Sequence, residues 1–152
     1  MIFRRAEIED VVRLIELRKL QLQDEGQTPD VDIDQKLDIF FKQKMQSGEL
    51  VEWVAEDDTG RIIATAAVLF IEFPPGFTNP TGKKGYITNM YTADEYRGQG
   101  IAGLLLMKIE RETKERGITN LMLHASEMGR KAYVKSGFRE RQVVMEKKIE
   151  IT

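Results

Sequence analysis

The sequence predicts an α/β fold with a mixed sheet, its elements running β-α-α-β-β-β-α-β-α-β. Three observations lead there. Residues 8–47 carry apolar side chains at helical spacing. After Gly48 the period shortens and β-branched residues dominate. A strand at 86–92 then runs through a glycine-rich turn directly into a helix.

Ile2-Phe3-Arg4 reads as a short opening strand. Over 8–24, Ile8, Val11, Val12, Leu14, Ile15, Leu17 and Leu20 define an amphipathic helix, which Gly26 and Pro29 stop. A second helix begins near Asp32 or Asp34, either of which is a capping residue. It shows Leu37, Phe40, Phe41 and Met45 on one face and ends at Ser47-Gly48. Strands at 51–56 and 61–73 flank Asp57-Asp58-Thr59-Gly60, a hairpin signal. The second of these strands is long and nearly all apolar, which places it in the middle of the sheet. Residues 74–85 hold three of the four prolines and form a loop of a length that usually serves function. After the strand at 86–92, Gly98 and Gly100 open a helix with Ile101, Leu104, Leu105, Ile109 and, in part, Met107 on its apolar side. It runs to about Arg116, with Gly117 as its stop. A short strand at 121–124, a short helix at 129–136 ending at Gly137 and a closing strand at 143–149 complete the order. The hairpin makes the first part of the sheet antiparallel, and the crossover helix makes strands 86–92 and 121–124 parallel.

With 152 residues, 41% hydrophobic and 32% charged, the chain reads as one globular domain over 1–152. It has no cysteine, which excludes disulfides, thiolate metal sites and a cysteine nucleophile, and its single histidine excludes a multi-histidine metal centre. No apolar run approaches the roughly 18 residues of a membrane span. Residues 1–10 lack the apolar core of a signal peptide, so a cytoplasmic location is expected. The net charge of −2 gives no reason to expect nucleic acid as a partner. Its distribution is uneven. Residues 24–58 carry 11 acidic side chains against 3 lysines, and residues 127–148 carry 3 acidic against 7 basic. This reads either as two solvated faces or as one end suited to a cationic ligand and the other to an anionic one.

The stretch with chemistry in it is Tyr86-Ile-Thr-Asn-Met-Tyr-Thr92 followed by Ala-Asp-Glu-Tyr-Arg97-Gly98-Gln99-Gly100-Ile101-Ala102-Gly103. Gly98 and Gly100 allow a tight turn that brings bare N–H groups close to a ligand. The first-turn amides of the following helix point the same way, which makes an anion site suited to a diphosphate, with Arg97 adding positive charge. A Walker loop would need Gly-Lys-Ser/Thr, which is missing. Gly98-x-Gly100-x-x-Gly103 fits a dinucleotide fingerprint by spacing, but the strand after it leads to His124-Ala-Ser rather than a carboxylate. Asp30-x-Asp32-x-Asp34 lacks the glycine and glutamate of a calcium loop and reads as a helix cap.

Arg97-x-x-Gly100-x-Ala102, behind an apolar strand ending Met90-Tyr91-Thr92, resembles the pyrophosphate loop of the GCN5-related N-acetyltransferase (GNAT) family. Tyr133-Val-Lys135-Ser-Gly137-Phe138 resembles that family's Tyr-x-Lys-x-Gly-Phe segment, and the order of elements is similar along essentially the whole chain. Asp94 stands where many members have proline, and Ser126 where some carry a pantetheine-binding asparagine. The resemblance implies an acyl-CoA N-acyltransferase fold with a splayed central strand pair. It implies transfer of acetyl from acetyl-CoA to a small or peptide amine by direct attack, without a metal. The cofactor contacts it implies are the amides of Gly98, Gln99, Gly100, Ile101, Ala102 and Gly103 with Arg97, the strand end Met90, Tyr91 and Thr92, and Ser126 and Lys135. The Thr92 N–H would polarise the thioester carbonyl. Tyr133 would protonate the leaving thiolate, and His124 is the candidate base, with Glu127, Glu72 and a water chain as competitors. In the family the acceptor pocket comes from the first two helices and the loop before the cofactor strand, here 17–41 and 73–85. A non-catalytic module that senses CoA or acyl-CoA is the alternative from another class. Val143, Val144 and Met145 serve either the core or a homodimer.

Overall fold

The computed structural model describes residues 1–141 and 143–151. Strands β1 (Ile2–Arg5), β2 (Leu50–Glu56), β3 (Ile62–Glu72), β4 (Lys83–Thr92) and β5 (Leu121–Met122) form one sheet in the order of the chain. The first four are antiparallel to their neighbours, and β4 and β5 run parallel. Helices α1 (Val11–Asp24) and α2 (Asp34–Ser47) lie between β1 and β2. Helix α3 (Ile101–Glu115) links β4 to β5, and α4 (Arg130–Lys135) follows. None of these helices is long and apolar enough to cross a membrane.

The alternation of β2 sorts the core into two layers. Leu50 and Val54 pack with Val11, Leu14, Leu17 and Phe41 under α1 and α2, while Val51 and Ala55 pack with Ile101, Leu105 and Ile109 under α3. With helices on both faces, a strand in the middle has no wet side, and this is why β3 reads as a continuous apolar run. Helix α3 buries Ile101, Leu105, Leu106, Ile109, Glu112 and Thr113. Leu104 and Met107, placed on its apolar side from sequence, are 46% and 66% exposed, because the buried stripe follows steps of four from Ile101. The C-terminal half of α3 is pinned by the buried Glu112, which accepts hydrogen bonds from Arg5 Nε (2.6 Å) and Trp53 Nε1 (3.1 Å).

Local chemistry fixes the turns. Asp57 Oδ1 accepts from the Thr59 and Arg61 amides and from the Thr59 hydroxyl, which closes the β2–β3 hairpin. The N-cap of α2 is Ile33, with no side-chain cap, rather than the expected Asp32 or Asp34; Asp32 Oδ1 accepts the Asp34 N–H at 3.0 Å and so closes a turn that leads into the helix. Strand β4 starts three residues earlier than expected, because Lys83 pairs with Glu72 across a loop closed by Gly82. At Gly82 (φ +68°) a Cβ would lie 1.9 Å from the Phe73 carbonyl oxygen, so this turn takes glycine only.

The expected closing strand at 143–149 does not form among the described residues, so the order ends on α4. Val143, Val144 and Met145 are all exposed, which also removes them from the core. Three adjacent apolar residues followed by Glu146-Lys147-Lys148 give a strand no single apolar face, and β5 offers an edge of only two residues.

Candidate active site

Strands β4 and β5 pair only at Gly85–Leu121 and Tyr86–Met122. Beyond Tyr86, β4 runs on for six residues with no β5 partner, so the two strands enclose a gap. Within that stretch β4 carries a bulge. Thr65 of β3 faces Tyr91 and Ala67 faces Thr88, two steps on β3 against three on β4. Asn89, inside the bulge, is the one described non-glycine residue with positive φ (+55°).

The gap opens into a cleft of about 2200 Å³, bounded by the end of α1, the start of α3, residues 121–126 and α4. That exceeds the roughly 300–1,000 Å³ of a pocket for one small ligand and leaves room for two substrates. Of the sequence-predicted site residues, Gln99 and the competing base Glu72 do not line it, whereas Met90, Tyr91, Thr92, Arg97, Gly98, Gly100, Ile101, Ala102, Gly103, His124, Ser126, Tyr133 and Lys135 do.

The start of α3 has the geometry of an anion site. Gly98 and Gly100 adopt φ of +77° and +80°, and no atom lies within 4 Å of where a Cβ would stand on either. The first bond into the helix runs from the Leu104 N–H to the Gly100 carbonyl (3.2 Å), so the amides of Ile101 to Gly103 have no partner within the helix. Arg97 departs from its expected part. Its Nε donates to the Thr92 carbonyl (2.8 Å), its Nη atoms pair with Asp94 (2.7 Å) and Asp24 (2.9 Å), and the guanidinium stacks over Tyr91. It ties the turn to β4 and to α1, and much of its charge is already neutralised. Asp94, where the family pattern has proline, is one of its partners.

Tyr133 is 8% exposed, seated edge-on against Phe138 and directly over Gly129, where a Cβ would come within 2.7 Å of the ring. Burial, and after it the Glu25 charge, hold its hydroxyl above the ordinary tyrosine pKa. His124 follows β5, and its Nδ1 lies 2.9 Å from the hydroxyl of Tyr86 on β4, with the rings edge to face. Burial is also the main cause that raises Tyr86. Sequence reasoning missed Tyr86 and Gly129. A tyrosine on an alternating strand looks like any other packing residue, and the need for glycine at 129 comes from a ring four residues away. Ser126 Oγ accepts the Gly129 N–H (3.1 Å), which places it as a turn cap on the rim.

Two expectations about the acceptor side are corrected. The loop before β4 does not line the cleft. The β3–β4 register puts it at the Glu72–Lys83 end, whereas the cleft opens at the Thr92 end, and Glu72 is removed from the site with it. Of the acidic residues in 24–58, only Asp24 and Glu25 line the cleft. Asp34, Asp38, Glu49 and Glu56 are taken up by Lys19, Lys42, Lys44 and Arg4. The α1 wall instead presents Arg18, Gln21, Leu22, Asp24 and Glu25. Of the basic end, Arg130, Lys131 and Lys135 line the cleft; Arg130 is paired with Glu127 and Glu140, which leaves Lys131 and Lys135 as the charges suited to an anionic ligand.

Known proteins share this fold. A predicted acetyltransferase from Clostridium acetobutylicum, solved with acetyl-CoA, is 47% identical, with 97% of this chain and 95% of that one covered at a TM-score of 0.93. A GCN5-related N-acetyltransferase from Ralstonia eutropha is 28% identical, with 97% of each chain covered at a TM-score of 0.89. A glucosamine 6-phosphate N-acetyltransferase from Trypanosoma brucei brucei is 28% identical over 102 residues, 66% of this chain and 67% of that one. The model of the acetyltransferase (GNAT) family matches residues 11–138, which takes in the strand gap, the glycine turn and Tyr133, and the chain belongs to that family.

Proposed function

We propose that this protein moves the acetyl group of acetyl-CoA to a primary amine by direct attack within a ternary complex. The observation that carries the reading is the juxtaposition in one cleft of a parallel strand pair that parts after two residue pairs and a helix start with unpartnered amides. The open backbone at Gly98 and Gly100 fits a pyrophosphate. When bound, acetyl-CoA supplies an activated thioester carbonyl.

The chain's own groups do the rest. The amides through Gly103 bind the pyrophosphate, and Lys135 on α4 lines the same cleft. Backbone groups of Met90, Tyr91 and Thr92 hold the pantetheine arm, and the Thr92 N–H stabilises charge on the thioester oxygen. The tautomer of His124 that donates its Nδ1–H to Tyr86 leaves Nε2 to take a proton from the acceptor ammonium. The amine nitrogen then bonds to the acetyl carbon as the carbon–sulfur bond breaks. Tyr133 gives its proton to the sulfur, and the second proton shed by the nitrogen as the amide forms restores the Tyr133 hydroxyl, whose raised pKa keeps it protonated and ready to donate.

Arg18 and Glu25 sit two helical turns apart on the α1 wall, about 10 Å along the axis. Arg18 donates to Gln21 Oε1 (3.3 Å) and has no carboxylate within ion-pair distance among the described residues. This pair of charges suits an acceptor that carries both an ammonium and an anion. The similarity to a glucosamine 6-phosphate N-acetyltransferase makes amino-sugar phosphates the first acceptors to try, with amino acids next.

Thiol release from acetyl-CoA across a panel of amines tests the reading. Acetylation of at least one amine, with no release in its absence, is the expected result. Tight acetyl-CoA binding with no release for any amine would favour the sensor instead.

A further inference from the structure

Glu52 is a carboxylate in the wrong place for a soluble protein. It sits on β2 between Leu50 and Val54, under α1, and is 2% exposed with no ion-pair partner among the described residues. Its Oε1 accepts from Thr65 Oγ1 on β3 (2.6 Å), and its Oε2 accepts from Asn89 Nδ2 on β4 (3.4 Å). One side chain thus spans three neighbouring strands and ends on the left-handed residue of the bulge.

The bulge makes that contact feasible. Ile87 packs in the layer under α3, and in a regular strand Asn89 would point the same way. The extra residue in β4 turns Asn89 toward Glu52 instead, into the layer under α1. The kink falls within the part of β4 that has left β5. We propose that Glu52 is a positioning residue for acetyl transfer: it holds the bulge at Asn89, and through it the gap at which the thioester is aimed. This rests on the reading that the gap receives the thioester arm.

The bridge closes in either protonation state. Ionised, the carboxylate accepts from both partners. Neutral, its O–H donates to Thr65 Oγ1, whose own proton goes to the Trp53 carbonyl 3.2 Å away. Burial raises the Glu52 pKa to about 7, so both forms are populated at neutral pH. The groups that face it are Thr65 from β3, Asn89 from β4 and, as the one charge acting on it, Arg18 from α1.

The test is a cycle of Glu52→Leu and Asn89→Gly, with kcat measured on an amine that the wild type acetylates and acetyl-CoA affinity measured by calorimetry. Glu52→Leu should lower kcat about tenfold or more, because small misplacements of reacting groups are costly, while affinity moves less than about threefold. Glycine holds φ +55° unaided, so in the Asn89→Gly background the same change should cost under about threefold. Glu52→Gln, whose amide bridges Thr65 and a rotated Asn89, should recover most of the rate. Equal losses in both backgrounds, or a Glu52→Leu enzyme within about twofold of wild type, would overturn the proposal. If Glu52→Leu does not fold, Thr65→Val takes its place in the same cycle. Hydrogen exchange of the amides of residues 88–92 reads the bridge without turnover: faster exchange in the variant supports it, and unchanged exchange refutes it. A wild type that acetylates no amine would therefore sink the functional reading alone.

Discussion

The two walls of the cleft are built by different means. The wall at the start of α3 is made of backbone, from two glycines at positive φ and the free amides behind them. The wall across from it is made of side chains from distant parts of the chain: Arg18 on α1 and Glu25 at its C-terminal end, Tyr86 on β4, His124 after β5 and Tyr133 on α4. A backbone site tolerates varied side chains so long as the glycines stay, which suits a ligand shared by many enzymes. A side-chain wall changes with single substitutions, which suits the part of the reaction that differs between them.

The largest effect should come from the side-chain wall. Removing one positioned proton donor typically costs about a hundredfold or more, so Tyr133→Phe should lower kcat by that order with little change in the KM for acetyl-CoA. Because burial raises the Tyr133 pKa, the alkaline fall in wild-type kcat should lie above pH 10, the ordinary tyrosine value. Steady-state kinetics from pH 6 to pH 11 checks both. A loss expressed in KM would instead place Tyr133 in binding.

The carboxyl beneath the bulge should show in stability. A Glu52 pKa of about 7 in the fold against 4.5 in the unfolded chain means that between these values the folded state holds the extra proton. Stability from this group is therefore full below pH 4.5 and is lost as pH rises through 7. Relative to wild type, Glu52→Gln should gain about 3 kcal/mol between pH 4.5 and pH 8, the worth of roughly 2.5 pKa units. Denaturant unfolding of both proteins at the two pH values reads the difference. Parallel curves would mean that the carboxyl titrates alike in both states.

The same contrast explains what the sequence disclosed. The glycine turn was legible because backbone geometry demands particular residues at adjacent positions, and so were the elements with strong periodicity, such as α1 and β3. Tyr133 and His124 came with a recognisable segment or as a lone residue type. The Tyr86–His124 contact and the Glu52–Thr65–Asn89 bridge were not legible, because each joins residues between 13 and 38 positions apart whose meeting depends on strand register. The extra residue at Asn89 flips a face without any local signature. Segment 143–149 misled in the other direction, since its loose alternation suggested a strand that three adjacent apolar residues could not support.

On the backbone wall the effect should be intermediate and confined to binding. Valine at position 100 would have to hold φ +80°, where a β-branched residue is strained by about 1–2 kcal/mol. Gly100→Val should therefore raise the KM for acetyl-CoA by about tenfold and leave kcat at saturation within about twofold. A fall in kcat at unchanged KM would show that the turn aims the thioester rather than gripping the pyrophosphate, and the division between the walls would then be wrong.

The smallest effect should fall where the walls touch. Asp24 of α1 pairs with Arg97 of the glycine turn at 2.9 Å, with the two side chains 39% and 31% exposed. Exposed pairs of this kind contribute about 0–1 kcal/mol, and here the pair draws a guanidinium away from the side of the cleft proposed to take the pyrophosphate. Asp24→Asn should leave the melting temperature within about 2 °C, while freeing one Nη of Arg97 lowers the KM for acetyl-CoA by up to about threefold at low salt. The gain should fade as ionic strength rises past about 0.15 M, where charges more than about 8 Å apart no longer interact strongly. A gain that persisted at high salt would mean that Asp24 holds the turn closed by geometry. Unchanged KM at every salt concentration would show that Asp94 alone keeps Arg97 from the ligand, leaving the two walls uncoupled.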